Sequence, residues 1–155
     1  MLTARCLLAL TLLTPQAATH TMGFWQDIAA HDFAVPAGAS APALAAELSR
    51  ELGNPDPAMR DDLATTILSK WIDRRVLTPA DLRPLIAEWT RALATIRGDA
   101  LRRSFSALML SMVITRDNAQ PFLTDDEVAA VRTATLAYLT AETDLRGYDD
   151  AVGWV

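Results

Sequence analysis

The sequence predicts an all-α protein. Apolar residues recur at helical steps of three and four in one segment after another, and each segment opens on a capping residue, two of them with proline directly behind it. No stretch shows the strict apolar–polar alternation of a half-buried strand. The gaps between segments run four to nine residues, as between neighbouring antiparallel helices.

Residues 1–19 read as a secretory signal rather than as part of the fold. Arg5 supplies a short positive start, Cys6 to Leu13 is an apolar run, Pro15 breaks it, and small residues follow at Ala17 and Ala18. The run is far short of the roughly 20 residues that span a bilayer. The expectation is export to the periplasm or beyond the cell, with no stable membrane anchor after cleavage. Cys6 is the sole cysteine of the chain. A processed protein would hold neither a disulfide nor a thiolate ligand.

Residues 20–39 show no sustained period and are expected to form an irregular arm, anchored by Phe24, Trp25 and Phe33. Residues 40–155 make the helical domain. Ser40 caps its first helix, with Leu44 and Leu48 on one face and Gly53 at its end. Asp56-Pro57 opens the second, whose stripe is Met59, Leu63, Ile67 and Trp71, widened by Leu68. Thr78-Pro-Ala-Asp81 opens the third, with Leu82, Leu85, Ile86, Trp89, Leu93 and Ile96 facing inward and Gly98 as its stop. Leu101, Phe105, Leu108, Met109 and Met112 mark the fourth, before a polar break from Arg116 to Pro121. The capping box Thr124-Asp-Asp-Glu127 opens the fifth, which runs through Val128, Val131, Leu136 and Leu139.

A repeat is superimposed on this order. Leu77-Thr78-Pro-Ala-Asp81-Leu82 and Leu123-Thr124-Asp-Asp-Glu127-Val128 stand in register 46 residues apart, aligning Leu85 with Val131 and Leu93 with Leu139. A period of roughly 40–47 residues with two helices per unit is that of a HEAT-like α-solenoid. An irregular helical bundle is the other architecture the pattern allows.

The chain has 155 residues, 51% of them hydrophobic, which fits one domain with a sizeable core. It carries 19 acidic against 14 basic side chains, a net charge of −5, and its arginines are interleaved with carboxylates. That balance argues against nucleic acid as a partner. His20 and His31 have no third ligand spaced to join them, so no metal site is expected. Ser104 and Ser106 lack a placed base, and nothing in the chain calls for a cofactor.

Charge set inside apolar sequence marks the candidate site. Arg102-Arg103-Ser104-Phe105-Ser106 opens the fourth helix, and Glu142-Thr-Asp144-Leu-Arg146-Gly147-Tyr148 leads into Gly153-Trp154. With Arg60-Asp61, these segments resemble a bacterial family, domain of unknown function 2785. Its members carry an early Arg-Asp, an Arg-Ser-Phe-Ser-Ala-Leu helix and a Glu-x-Asp-Leu-Arg-Gly-Tyr segment running into Gly-Trp. The likeness runs from about Phe24 to Val155 and implies a helical fold without implying an activity. In the family the chain continues past Gly-Trp into a histidine-bearing helical segment, so the helical domain is expected to be cut short at Val155.

Arg103, Glu142, Asp144, Arg146 and Tyr148 are therefore the candidate binding residues, with no catalytic residue assigned. One reading makes Glu142 and Asp144 an acid/base pair of a hydrolase, tuned by Arg103 or Arg146. The other makes them buried partners of those arginines, tying a helix end to its neighbour, in a non-catalytic module that binds a protein or peptide. The second is preferred. The two differ in whether the carboxylates open onto a concave pocket.

Overall fold

The computed structural model describes residues 20–95, 99–143, 147–151 and 153–154. Its helices are α1 (Met22–Ala30), α2 (Ala41–Glu51), a π-helix (Ala58–Thr65) running directly into α3 (Thr66–Asp73), α4 (Pro79–Ala94), α5 (Ala100–Ala119) and α6 (Asp125–Ala141). The all-α prediction holds. A two-residue hairpin, β1 (Tyr148–Asp149) against β2 (Gly153–Trp154), stands where no strand was expected. The signal-like residues 1–19, the tail of the third predicted stripe at Ile96 and its stop at Gly98 lie outside the described residues.

The written caps form. Ser40 Oγ accepts from the Ala43 amide, and Thr78–Asp81 and Thr124–Glu127 close reciprocal capping boxes. These satisfy amides that a helix start leaves unpaired. Asp56 Oδ1 accepts from the Ala58 amide at 3.0 Å and starts the π-helix.

Residues 20–39, expected as an irregular arm, contain α1. Trp25 and Ile28 drop into the core from that helix, three positions apart on one face. Phe33 follows at φ +61, and its carbonyl accepts the Trp71 indole N–H at 2.7 Å, so the arm is packed rather than loose.

The helices lie in two layers. In one, α2 neighbours α4 and α4 neighbours α6; in the other, α3 neighbours α5. Contacts of α2 with the π-helix and of α4 with α5 join the layers, and α1 closes over the π-helix. The core between them includes Leu48, Ile67, Leu68, Trp71, Ile72, Leu82, Trp89, Met109 and Val113, all fully buried. Trp71 and Trp89 are core residues, as the stripes predicted; the Trp89 indole N–H donates to Ser49 Oγ at 2.8 Å.

One boundary and one face differ from expectation. The break predicted from Arg116 is helical through Ala119, and the half-buried Arg116 side chain is tied into the fold. Its Nη1 donates to the Leu77 carbonyl at 2.7 Å and its guanidinium lies over the Phe122 ring. Burial lowers the Arg116 pKa, with Arg75 adding repulsion. On α6 the inward face is Val131 and Ala134, with Tyr138 packed beside them, while Leu136 and Leu139 are exposed. The repeat alignment thus pairs two buried positions at Leu85 and Val131 but fails at Leu93 and Leu139.

Candidate functional site

The candidate site begins at a buried charge. Arg60, on the π-helix, has no solvent exposure, and nothing in an apolar core solvates a guanidinium except what the fold supplies. Its Nε donates to Asp61 Oδ1 at 2.6 Å, Nη1 to the Asn54 carbonyl at 2.9 Å, and Nη2 to Asp61 Oδ2 and the Trp154 carbonyl at 3.3 and 3.2 Å. The Phe105 ring of α5 lies 5.0 Å from the guanidinium carbon. A planar, five-donor head suits this combination of bidentate carboxylate, carbonyls and ring face; a lysine would not.

The π winding places this pair. Thr65 Oγ1 donates to the Arg60 carbonyl at 2.8 Å and Thr66 Oγ1 to the Asp61 carbonyl at 3.2 Å, each reaching five residues back. π turns are rare and recur at functional sites. Here the wider turn holds Arg60 inward while its neighbour Asp61 stays at the rim.

Residues far along the chain complete the arrangement. The Trp154 amide donates to Asp61 Oδ2 at 3.3 Å, so both backbone groups of Trp154 bind the Arg60–Asp61 pair. Gly153 permits that approach. Its φ is +77, and a Cβ there would lie 2.6 Å from Asp61 Oδ2, 2.9 Å from Arg60 Nη2 and 2.9 Å from Pro57 Cβ. Tyr148 pairs directly with Trp154 across the hairpin, which sets their side chains on one face. The rings meet edge to face at 5.5 Å, and both remain well over half exposed.

Between the π-helix, the start of α5 and the hairpin lies an open groove of about 690 Å³. Asp61, Asp62 and Asp150 contribute carboxylates to it, and Phe105, Leu108, Tyr148 and Trp154 contribute apolar surface.

The predicted site residues divide around this groove. Tyr148 lines it. Arg103 and Glu142 do not; they form an ion pair at 2.9 Å with side chains about one-tenth exposed, tying α5 to the end of α6. Tyr138 supports that pair, lying 5.9 Å from the Arg103 guanidinium carbon and sharing a 3.0 Å hydrogen bond with Ser104 Oγ. Asp144 and Arg146 lie outside the described residues. Sequence reasoning did not assign Asp62, Leu108, Asp150 or Trp154 to the site. The available signal was adjacency, since each stands within or beside one of the motifs quoted above.

Residues 97–155 match the family described as "Protein of unknown function (DUF2785)", which bears out the resemblance drawn from the motifs of α5 and of the hairpin. No curated protein and no solved structure matches the chain.

Proposed function

We propose that this chain, which carries the DUF2785 family segment over residues 97–155, is a non-catalytic binding module that takes a protein or peptide segment in the groove between the π-helix, α5 and the terminal hairpin. One observation carries the reading. The Arg-Asp, Arg-Ser-Phe-Ser and Gly-Trp motifs, whose ends Arg60 and Trp154 stand 94 residues apart, meet at one place, where they hold the exposed rings of Tyr148 and Trp154 at the groove's edge. Large aromatic side chains left exposed on a concave surface are the usual anchors of recognition, offering much contact area at low entropic cost.

The hydrolase alternative requires Glu142 open to a pocket. Its carboxylate is instead engaged by Arg103 at the end of α6, which favours the binding reading. The two-layer order of the helices, with capping boxes at the starts of α4 and α6, is also what a HEAT-like stack would have, and such stacks bind partners along one surface. We further place the module outside the cytoplasm, on the signal-like pattern of residues 1–19. A fusion of the full chain to alkaline phosphatase, which is active only where its disulfides can form, should be active in a Gram-negative host; an inactive, full-length fusion would overturn export.

Selection of displayed random peptides against the full chain tests the groove. Enriched peptides should bind the parent and lose at least tenfold in affinity on Trp154→Ala or Tyr148→Ala, while both variants melt like the parent. Binding indifferent to both substitutions would sink the reading.

A further inference from the structure

We infer that the groove's occupant is a basic segment of a partner protein, with an arginine or lysine head group seated against the Tyr148 and Trp154 rings; the inference rests on the binding reading above. Among the described residues the lining contains no lysine, arginine or histidine. Asp62 and Asp150 are exposed and make no ion pair among the described residues, and the Arg60 guanidinium bonds Asp61 from beneath. A neutral or acidic segment would leave that negative potential unanswered and would meet repulsion on approach.

The aromatic surface selects among cations. Exposed Trp and Tyr faces attract an organic cation by their quadrupoles, worth about 0.5–2 kcal/mol depending on desolvation. A compact metal ion needs converging oxygen ligands instead, and no group of three His, Cys, Asp or Glu is placed for one among the described residues. The 690 Å³ volume and the open shape exceed what a single side chain fills. Leu108, exposed on α5 and lining the same groove, offers apolar contact to the neighbours of that head group. A peptide alternating basic and apolar residues matches this surface in both charge and polarity.

The test uses two randomised heptapeptide pools passed over the immobilised full chain. One has arginine fixed at its third and fifth positions, and the other has citrulline there, which keeps the shape and removes the charge. The arginine pool should be retained at least tenfold more strongly. That retention should fall at least fivefold on the double substitution Asp62→Asn, Asp150→Asn and on Trp154→Ala. Circular dichroism melts confirm that the variants fold. Equal retention of both pools, lost on Trp154→Ala, would overturn the cationic occupant and leave the groove reading standing. Arginine-pool retention unmoved by the aspartate substitutions would do the same. Retention of neither pool, or retention unmoved by Trp154→Ala, would overturn both.

Discussion

At the scale of single residues, the groove rests on a glycine and two arginines. Gly153→Ala places a methyl group within 3 Å of Asp61, Arg60 and Pro57 in a backbone region that costs L-residues about 1–2 kcal/mol before any clash. We expect the hairpin to leave the π-helix, with amide exchange at Trp154 faster and helical content unchanged; unaltered exchange at Trp154 would show that the contact does not depend on the missing Cβ. Glu142→Gln removes the negative charge opposite Arg103 while keeping an acceptor. It should cost about 1–3 kcal/mol in urea unfolding, because a partly buried charged group loses its compensation. A variant as stable as the parent would mean that the pair contributes nothing to the fold. Arg103, Glu142 and Tyr148 were legible as candidates because charge or an aromatic ring stood inside apolar sequence. Their division into a supporting pair and a groove residue was not, since it depends on where α6 ends relative to α5.

At the scale of elements, helix starts were legible because capping is local chemistry: a side-chain oxygen three residues before an amide needs no tertiary contact to be recognised. The interior of the fold was less so. Arg116 reads as polar punctuation until the Leu77 carbonyl and the Phe122 ring are seen beside it, and α1 is too short to carry a period past Gly23 and Asp27. The stripe Met59, Leu63, Ile67, Trp71 was read correctly as buried, yet its repeated step of four held a further message. In an α-helix such a step advances the stripe by about 40° each time, and a wider π turn brings those positions closer to one line. The caps also make a pH prediction. The Thr124 amide, followed by Arg83, holds the Glu127 carboxyl below its ordinary value. A depressed folded pKa gives stability that is complete above the ordinary glutamate value of about 4.3 and lost as pH falls through the folded value. Glu127→Gln should therefore melt below the parent at pH 7, by about 0.3–1 kcal/mol, and the gap should close as pH falls below the ordinary glutamate range. A gap independent of pH would assign the stabilisation to packing of the side chain rather than to its charge.

At the scale of the molecule, burial is unevenly shared along the order of helices. Trp25, Trp71 and Trp89 gather the core around α1, α3 and α4, and α4 alone buries Leu82, Leu85, Ile86, Trp89 and Leu93. By contrast, α6 buries only Val131 and Ala134, and its outer positions Leu136 and Leu139 meet solvent. Stability within a fold follows buried apolar contact, so the molecule should open from the α6 side first. Native-state hydrogen exchange should find the amides of α6 beyond Ala134 among the least protected of the helical ones, and those of α3 and α4 near the global limit. The hairpin depends on both regions. Its backbone is fastened to Arg60 and Asp61 on the well-buried π-helix, while Glu142, at the end of α6, is fastened to α5 through Arg103. Trp154 should accordingly keep more protection than the end of α6, and Arg60→Ala should abolish that difference by removing the guanidinium that binds the Trp154 carbonyl. Protection of α6 equal to that of α4 would contradict this order. It would mean that the Arg103–Glu142 pair and the Val131–Ala134 face of α6 hold the second half of the fold as firmly as the tryptophan core holds the first.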